Sequence, residues 1–435
     1  MPRVVLALAL LALVALAAPA AAVNRYAPMK VPPGPGPKAF DRVWVQQLGP
    51  DGADSVLVLA PGTNGGAGGI LPVAREIVRR VRGLQVWIVD RRGQAFEDTS
   101  VFATGDPQRA QDYYLGFRYR RVAGEDAKYV ANWGLRLQVA DLRAVIRRAG
   151  AGGRRVLLGG HSAGASMAVA YAAWDFGGRP GFGDLDGLVL IDGGLLGSFS
   201  SAGLARARRE LAEIRSGDVF LDLLGTGLPE INAIFAQVGA LWAYKRPNEP
   251  SVLQSYAPLP AILKPPFPVT NEAQFGYAFD ETTSPDELAL IHIRAGRLAD
   301  SGDPRGWQDG ELTPIRRHAR IYAANAPNAT EWYYPRRLLL DIDAASPLRR
   351  TPAARFLGLR LRHANRIPVP LYAYSTALTD GRVAAGARRL VRRSRIADFR
   401  VVDDRGASHL DPLSAARGRN RFLETVVPFL RRATR

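Results

Sequence analysis

Cysteine is absent from all 435 residues. That excludes disulfides, a cysteine nucleophile and lipid attachment at an N-terminal cysteine. Lysine is almost missing as well, with five in the chain, so arginine carries nearly all of the 58 basic residues and the formal charge of +18. Histidine is equally sparse: five are dispersed along the chain and no H-E-x-x-H occurs, so no metal-ligand set is legible. No Lys-Ser/Thr phosphate loop and no G-x-G-x-x-G followed by a ribose-binding acid is present, and the reading therefore implies no cofactor. Beyond the N-terminal segment no run is long and apolar enough to span a membrane.

What remains is a composition with 47% apolar residues, ordinary for a globular enzyme and enough for one large core or two modest ones. The arginines are scattered, and short clusters such as Arg388-Arg389 and Arg392-Arg393 fall in helical patterns with solvated faces. No nucleic-acid motif accompanies them, which argues against a nucleic-acid partner. An anionic cell-envelope component is the partner that the charge leaves open, beside a plain compositional habit. Nothing in the pattern specifies an oligomeric state.

The chain opens Met1-Pro2-Arg3, continues through an apolar run over 4–18, and reaches Pro19 and three alanines. A positive start, a short apolar core and a small-residue exit predict a secretory signal peptide over 1–22, cleaved after Ala22, and hence an extracytoplasmic protein. An uncleaved anchor is the rival, since the run approaches a spanning length. Residues 23–39 are rich in Pro and Gly and read as a tether. Strands are expected at 43–48, 55–60, 85–90, 154–159, 187–191, 369–374 and 398–402, with Gly49-Pro50-Asp51-Gly52 marking a hairpin between the first two. Helices are expected at 72–81, 131–148, 382–393 and 415–431. Between them, 198–366 shows helical stretches (204–215, 285–299, 313–325), proline-rich joints and no strand alternation. The alternation of strand and helix predicts an α/β fold with a mainly parallel sheet, helices on both faces and a mostly helical cap inserted late. The organisation is then a core over 40–197, a cap over 198–366 and the rest of the core over 367–435.

The chemistry centres on Gly160-His161-Ser162-Ala163-Gly164, which follows a strand pattern and precedes a small-residue helical stretch. Strand, glycine-flanked serine and helix is the layout of a nucleophile elbow. Chance alone can supply the pentapeptide, so a base, an acid and an oxyanion site must accompany it. Of the histidines, His161 lies in the elbow itself, His292 and His318 fall in helical patterns of the cap, and His363 sits in a basic stretch. His409 alone follows a terminal sheet strand, in Asp404-Arg405-Gly406-Ala407-Ser408-His409, and is the candidate base. Two acids follow strands: Asp380, which is preferred, and Asp192 as the alternative. Asp411 is a candidate cap for the last helix. The glycine-rich turn at 60–69 follows an early strand and would aim backbone N–H groups at one point, with Ala163 and either Thr63 or Asn64 as oxyanion donors.

With these four parts in order, the chain resembles the α/β-hydrolase superfamily over roughly 40–197 and 367–432. The resemblance carries the G-x-S-x-G serine onto Ser162, the late-loop histidine onto His409 and the acid after the preceding sheet strand onto Asp380. It departs from the family at the oxyanion motif, which usually begins His-Gly and here reads Pro61-Gly62. It implies the fold and the reaction type, acyl transfer, but no substrate; the expected reaction is serine-hydrolase cleavage of a carboxylic ester, with a small-molecule ester or acyl compound as partner. A secreted proline-type peptidase and an acyltransferase are the rival enzymes, and a catalytically silent cell-envelope binding protein is the rival from another class. Trp242, Tyr244, Tyr256, Trp307, Trp332, Tyr333 and Tyr334 are candidates to line an acyl pocket, and Arg336 and Arg337 to meet an anionic group.

Overall fold

A computed structural model describes residues 22–195, 199 and 201–435; the expected signal sequence up to residue 21 and the core–cap joint at 196–198 lie outside the described residues. Eight strands form the main sheet in the order β1-β2-β4-β3-β5-β6-β9-β10. They are β1 (Ala22–Lys30), β2 (Arg42–Pro50), β3 (Ser55–Ala60), β4 (Leu84–Asp90), β5 (Arg155–His161), β6 (Gly187–Ile191), β9 (Leu371–Ser375) and β10 (Phe399–Asp403). A separate two-stranded hairpin, β7 (Gly296–Gly302) and β8 (Arg305–Asp309), lies in the insertion. β3, β4, β5, β6, β9 and β10 run parallel, while β1 and β2 are antiparallel to their neighbours. This is the mainly parallel sheet, with helices on both faces, that the sequence predicts.

The central strands are apolar throughout because both of their faces are covered. Along β3, Val56 and Val58 join one core while Leu57 and Leu59 join the other. The first face packs on the helices Leu135–Ala149 and Ala163–Ala173 through Val139, Leu142 and Met167. The second packs on Ala67–Arg80 and Arg421–Ala433 through Ile70, Val73, Phe422 and Val426. A two-residue period thus feeds two cores from one strand.

Three local expectations are corrected. The stretch 23–39 is no tether over its first part: β1 pairs with β2 along its whole length, from Ala22 opposite Pro50 to Lys30 opposite Arg42. Its mixed residues, exposed or half-buried throughout, suit an edge strand and carry no apolar alternation. The Pro/Gly part is also bound to the body, with the Pro32 carbonyl accepting from Arg92 at 2.7 Å and the Pro35 carbonyl from the Trp133 indole at 2.9 Å. The turn at 49–52 makes no hairpin, because β4 lies between β2 and β3.

In the insertion, the helix expected at 285–299 is instead a pair of 3-10 turns over Asp286–Ile291, broken at the non-helical Leu288, followed by β7. The hairpin is polar and largely exposed, so no alternation marks it. The remainder is helical, including Leu204–Ser216, Ile231–Lys245, Asn271–Phe279, Ile315–Tyr322 and Arg336–Ala344. Its last part reaches down into the body: Leu338 and Leu340 join the first core, and Asp341 accepts from Leu135 N at 2.9 Å at the start of Leu135–Ala149.

Candidate active site

The carboxyl ends of the six parallel strands deliver the site, as open α/β sheets do. β3 ends at the Pro61–Gly65 loop, β4 at Arg91, β5 at Ser162, β6 at Asp192 and β9 at Thr376, and His409 comes from the loop after β10.

Ser162 has φ +56° and ψ −122°, a conformation that L-residues rarely adopt, and is buried. Its N–H donates to the Ile191 carbonyl at 2.9 Å, which ties the elbow to β6. The flanking glycines follow from the close approach of β3. A Cβ on Gly160 would lie 2.6 Å from the Ala60 carbonyl oxygen, and one on Gly164 would lie 2.0 Å from the same atom.

His409 Nδ1 lies 2.6 Å from Asp192 Oδ2, with both side chains buried. Asp192 also accepts from Thr376 N at 2.7 Å and from the Thr376 hydroxyl. Burial works against its charge, but the His409 imidazole and Thr376 outweigh that and hold its carboxyl below the ordinary value. Facing an ionised carboxylate, Nδ1 carries the proton, which leaves the Nε2 lone pair for chemistry. The His409 carbonyl is itself held by His161, whose Nε2–H donates to it at 2.9 Å. Burial, with the His409 imidazole nearby, pushes the His161 pKa down to about 3, so this donor is a neutral ring.

The carboxylate that meets the imidazole is therefore Asp192, the alternative candidate, and not the preferred Asp380. Asp380 is 93% exposed and forms an ion pair with Arg405, away from the imidazole. β6 and β9 are neighbours, with Ile191 opposite Tyr374, so either strand end could supply a carboxylate. β6 supplies it, and β9 supplies a hydroxyl and an N–H that hold it in place. Asp411 braces the histidine loop and does not cap the last helix: it accepts from Ser408 N at 2.8 Å and Thr313 Oγ1 at 2.6 Å, and Asn420 caps Arg421–Ala433.

The loop after β3 is shorter than the glycine run suggested, because the helix begins at Ala67. Its carbonyls are gathered by Arg91, a residue the sequence reading did not single out. The buried guanidinium donates to Pro61 O at 3.0 Å, Gly62 O at 2.8 Å and Gly65 O at 3.3 Å, and pairs with the buried Glu331 at 2.5 Å. A trans peptide points its N–H opposite to its C=O, so the Thr63 N–H faces away from Arg91. Among the described residues neither the Thr63 nor the Ala163 N–H has a protein acceptor. Asn64 instead engages the insertion, its carbonyl accepting from Glu331 N at 2.8 Å and its side-chain amide donating to Glu331 O at 3.1 Å. The only local signal for Arg91 was a charged pair directly after a buried strand; its partner lies 240 positions away.

A cavity of about 150 Å³ opens onto Ser162 and His409. The insertion walls it with Phe235, Trp242, Phe275, Phe279 and Tyr322. Of the aromatics expected there only Trp242 takes part; Trp332, Tyr333 and Tyr334 are fully buried packing, and Tyr244 is exposed. Arg336 and Arg337 are engaged by Glu213 at 2.9 Å and Asp341 at 2.8 Å. Of the other histidines, His318 is buried against Phe275, Phe279 and Tyr322, with burial pushing its pKa down to about 3. His292 donates to the Pro285 carbonyl at 3.1 Å, and His363 lies 3.5 Å from Asp175. Among the described residues no group of three or more His, Asp or Glu side chains could hold a metal ion.

No family model and no curated protein matches the chain. Among solved structures it is similar to a candidate lipase from Sulfolobus solfataricus, at 15% identity and TM-score 0.48 over 94% of this chain and 99% of that one. It is also similar to an esterase from Thermogutta terrifontis, at 12% identity and TM-score 0.42 over 94% and 100% of the two chains. A third is epoxide hydrolase A from Mycobacterium thermoresistibile, at 15% identity and TM-score 0.43 over 94% and 98%.

Proposed function

We propose that the protein is a serine hydrolase that cleaves carboxylic esters through Ser162, His409 and Asp192. The observation that carries this is the buried 2.6 Å contact between His409 Nδ1 and Asp192, made beside a strained serine at the mouth of an apolar cavity. His409 Nε2 takes the Ser162 proton as Oγ attacks the ester carbonyl carbon, and the imidazolium is stabilised by Asp192. The N–H groups of Thr63 and Ala163 receive the oxyanion, each worth about 3 kcal/mol in the transition state. The C–O bond to the alcohol then breaks, and the alcohol leaves with the proton from His409. Water attacks the acyl-serine by the same route, giving its proton to His409, and Ser162 regains a proton as the acid departs. The apolar walls of the cavity favour an acyl chain over a peptide.

The N-terminal segment reads as an export signal, and we place the enzyme outside the cytoplasm. Cleavage after Ala22 would remove one residue of β1. A fluorophosphonate probe tests the nucleophile: labelling should occur on the native chain and vanish in Ser162→Ala, and labelling that persists in that variant would sink the assignment.

A further inference from the structure

Ser162 and Thr63 line a second cavity besides the apolar one, a groove of about 1410 Å³ whose far wall is basic. Arg349 and Arg350 reach it from the loop after the helix Arg336–Ala344, and Arg389 and Arg393 from the helix Arg382–Arg393. Arg389 and Arg393 are four residues apart and share one helix face, so this face is turned to the groove and not merely to solvent. All four arginines are exposed, and among the described residues none is paired with a carboxylate. The one carboxylate among the described lining residues, Asp343, is bound by Arg206 at 3.0 Å. The nucleophile therefore stands between an apolar chamber and a positively charged groove.

We propose that the groove binds the anionic part of the substrate: an ester whose apolar acyl chain fills the chamber and whose alcohol bears phosphate, sulfate or carboxylate groups. The inference rests on Ser162 acting as an ester-cleaving nucleophile. A guanidinium offers a planar fork of N–H donors that matches such oxyanions, so unpaired arginines from two separate elements form a set with one complementary ligand class. Four like charges also repel one another, and a bound anion relieves that repulsion. Because the groups are exposed, the attraction is screened by salt.

The test uses the purified mature protein and two octanoate esters, one of neutral 4-nitrophenol and one of hydroxypyrene trisulfonate. The readout is the ratio of kcat/KM for the anionic ester to that for the neutral one. Arg389→Gln/Arg393→Gln should lower this ratio about three- to tenfold, through KM. Arg349→Gln/Arg350→Gln, on a different element, should do the same and guards against a folding defect in the first variant. The distant exposed pair Arg147→Gln/Arg148→Gln should leave the ratio where it was. In the native protein the ratio should fall as NaCl rises from about 0.02 M to about 0.5 M. Competition by inorganic phosphate against the soluble anionic ester supports recognition of the free anion. An arginine effect confined to octanoate esters presented in phosphatidylglycerol vesicles supports a lipid headgroup. If both esters turn over at a ratio that neither arginine pair nor salt alters, the groove proposal is overturned while the hydrolase stands. If neither ester turns over and Ser162 takes no probe, both readings fall.

Discussion

His409 meets Asp192 at the end of β6, the strand beside β5 and its Ser162, and not a residue beyond β9. The two candidate acids can therefore be separated kinetically. Asp192→Asn should lower kcat about 10³- to 10⁴-fold with little change in KM, because an amide favours the wrong imidazole tautomer. Asp380→Asn should stay within twofold of the native rate, about the scatter expected of an exposed substitution. Steady-state kinetics on one p-nitrophenyl ester decides it.

Arg91 gathers three carbonyls of the loop after β3, the proposed oxyanion loop, while paired with Glu331. Arg91→Met leaves a buried carboxylate alone and should cost about 3–5 kcal/mol of stability. The double variant Arg91→Met/Glu331→Met should recover much of that in urea melts. Its kcat should nonetheless stay about tenfold to a hundredfold low with KM nearly unchanged, since the loop's amides are no longer aimed. Recovery of kcat along with stability would restrict Arg91 to a structural role.

Gly164→Ala places a Cβ 2.0 Å from a backbone oxygen of β3. Neither backbone has a flexible end that could give way, so a loss of at least about 2 kcal/mol is expected, along with a large drop in kcat as the elbow shifts. Thermal melts and probe labelling of the purified variant measure the two effects.

Asp90 closes β4, where its carboxylate accepts from Ala67 N at 2.6 Å and from the Tyr26 hydroxyl at 2.8 Å. Burial pushes its pKa up to about 7. A raised carboxyl binds its proton in the folded state where the unfolded chain has lost it. Its contribution to stability is thus full below the ordinary carboxylate range and is lost as pH rises through about 7. Between pH 5 and 7 it should make the native chain less stable by roughly 2–3 kcal/mol, and Asp90→Asn should remove that part of the slope in urea melts.

The sheet was legible because its buried strands are short apolar runs bounded by glycine and acidic turns, and the elbow because its glycines serve a contact that admits nothing larger. β1 and the β7–β8 hairpin were not, since both are only half-buried or exposed and show no two-residue apolar alternation. His409 could be found by elimination among five histidines. The acid could not, because chain order alone does not tell which of two adjacent strand ends carries the carboxylate and which carries the hydroxyl. Arg91 and Glu331 were out of reach for another reason: the contact joins residues 240 positions apart and leaves no local pattern.

The tie between Glu331 and the loop after β3 also sets what this scaffold can exchange. Gly66 N and Gly68 N donate to the carbonyls of Ala329 and Asn328 at 2.8 and 2.7 Å, so the late insertion is stitched to that loop. The helices Ile231–Lys245, Asn271–Phe279 and Ile315–Tyr322 wall the chamber and can be swapped to change what fits there. A graft that also replaced 328–331 would remove the anchor of the loop after β3, which carries the proposed oxyanion donor Thr63, along with the old walls. On the proposed function, selectivity and rate would thus depend on two different stretches of the same insertion.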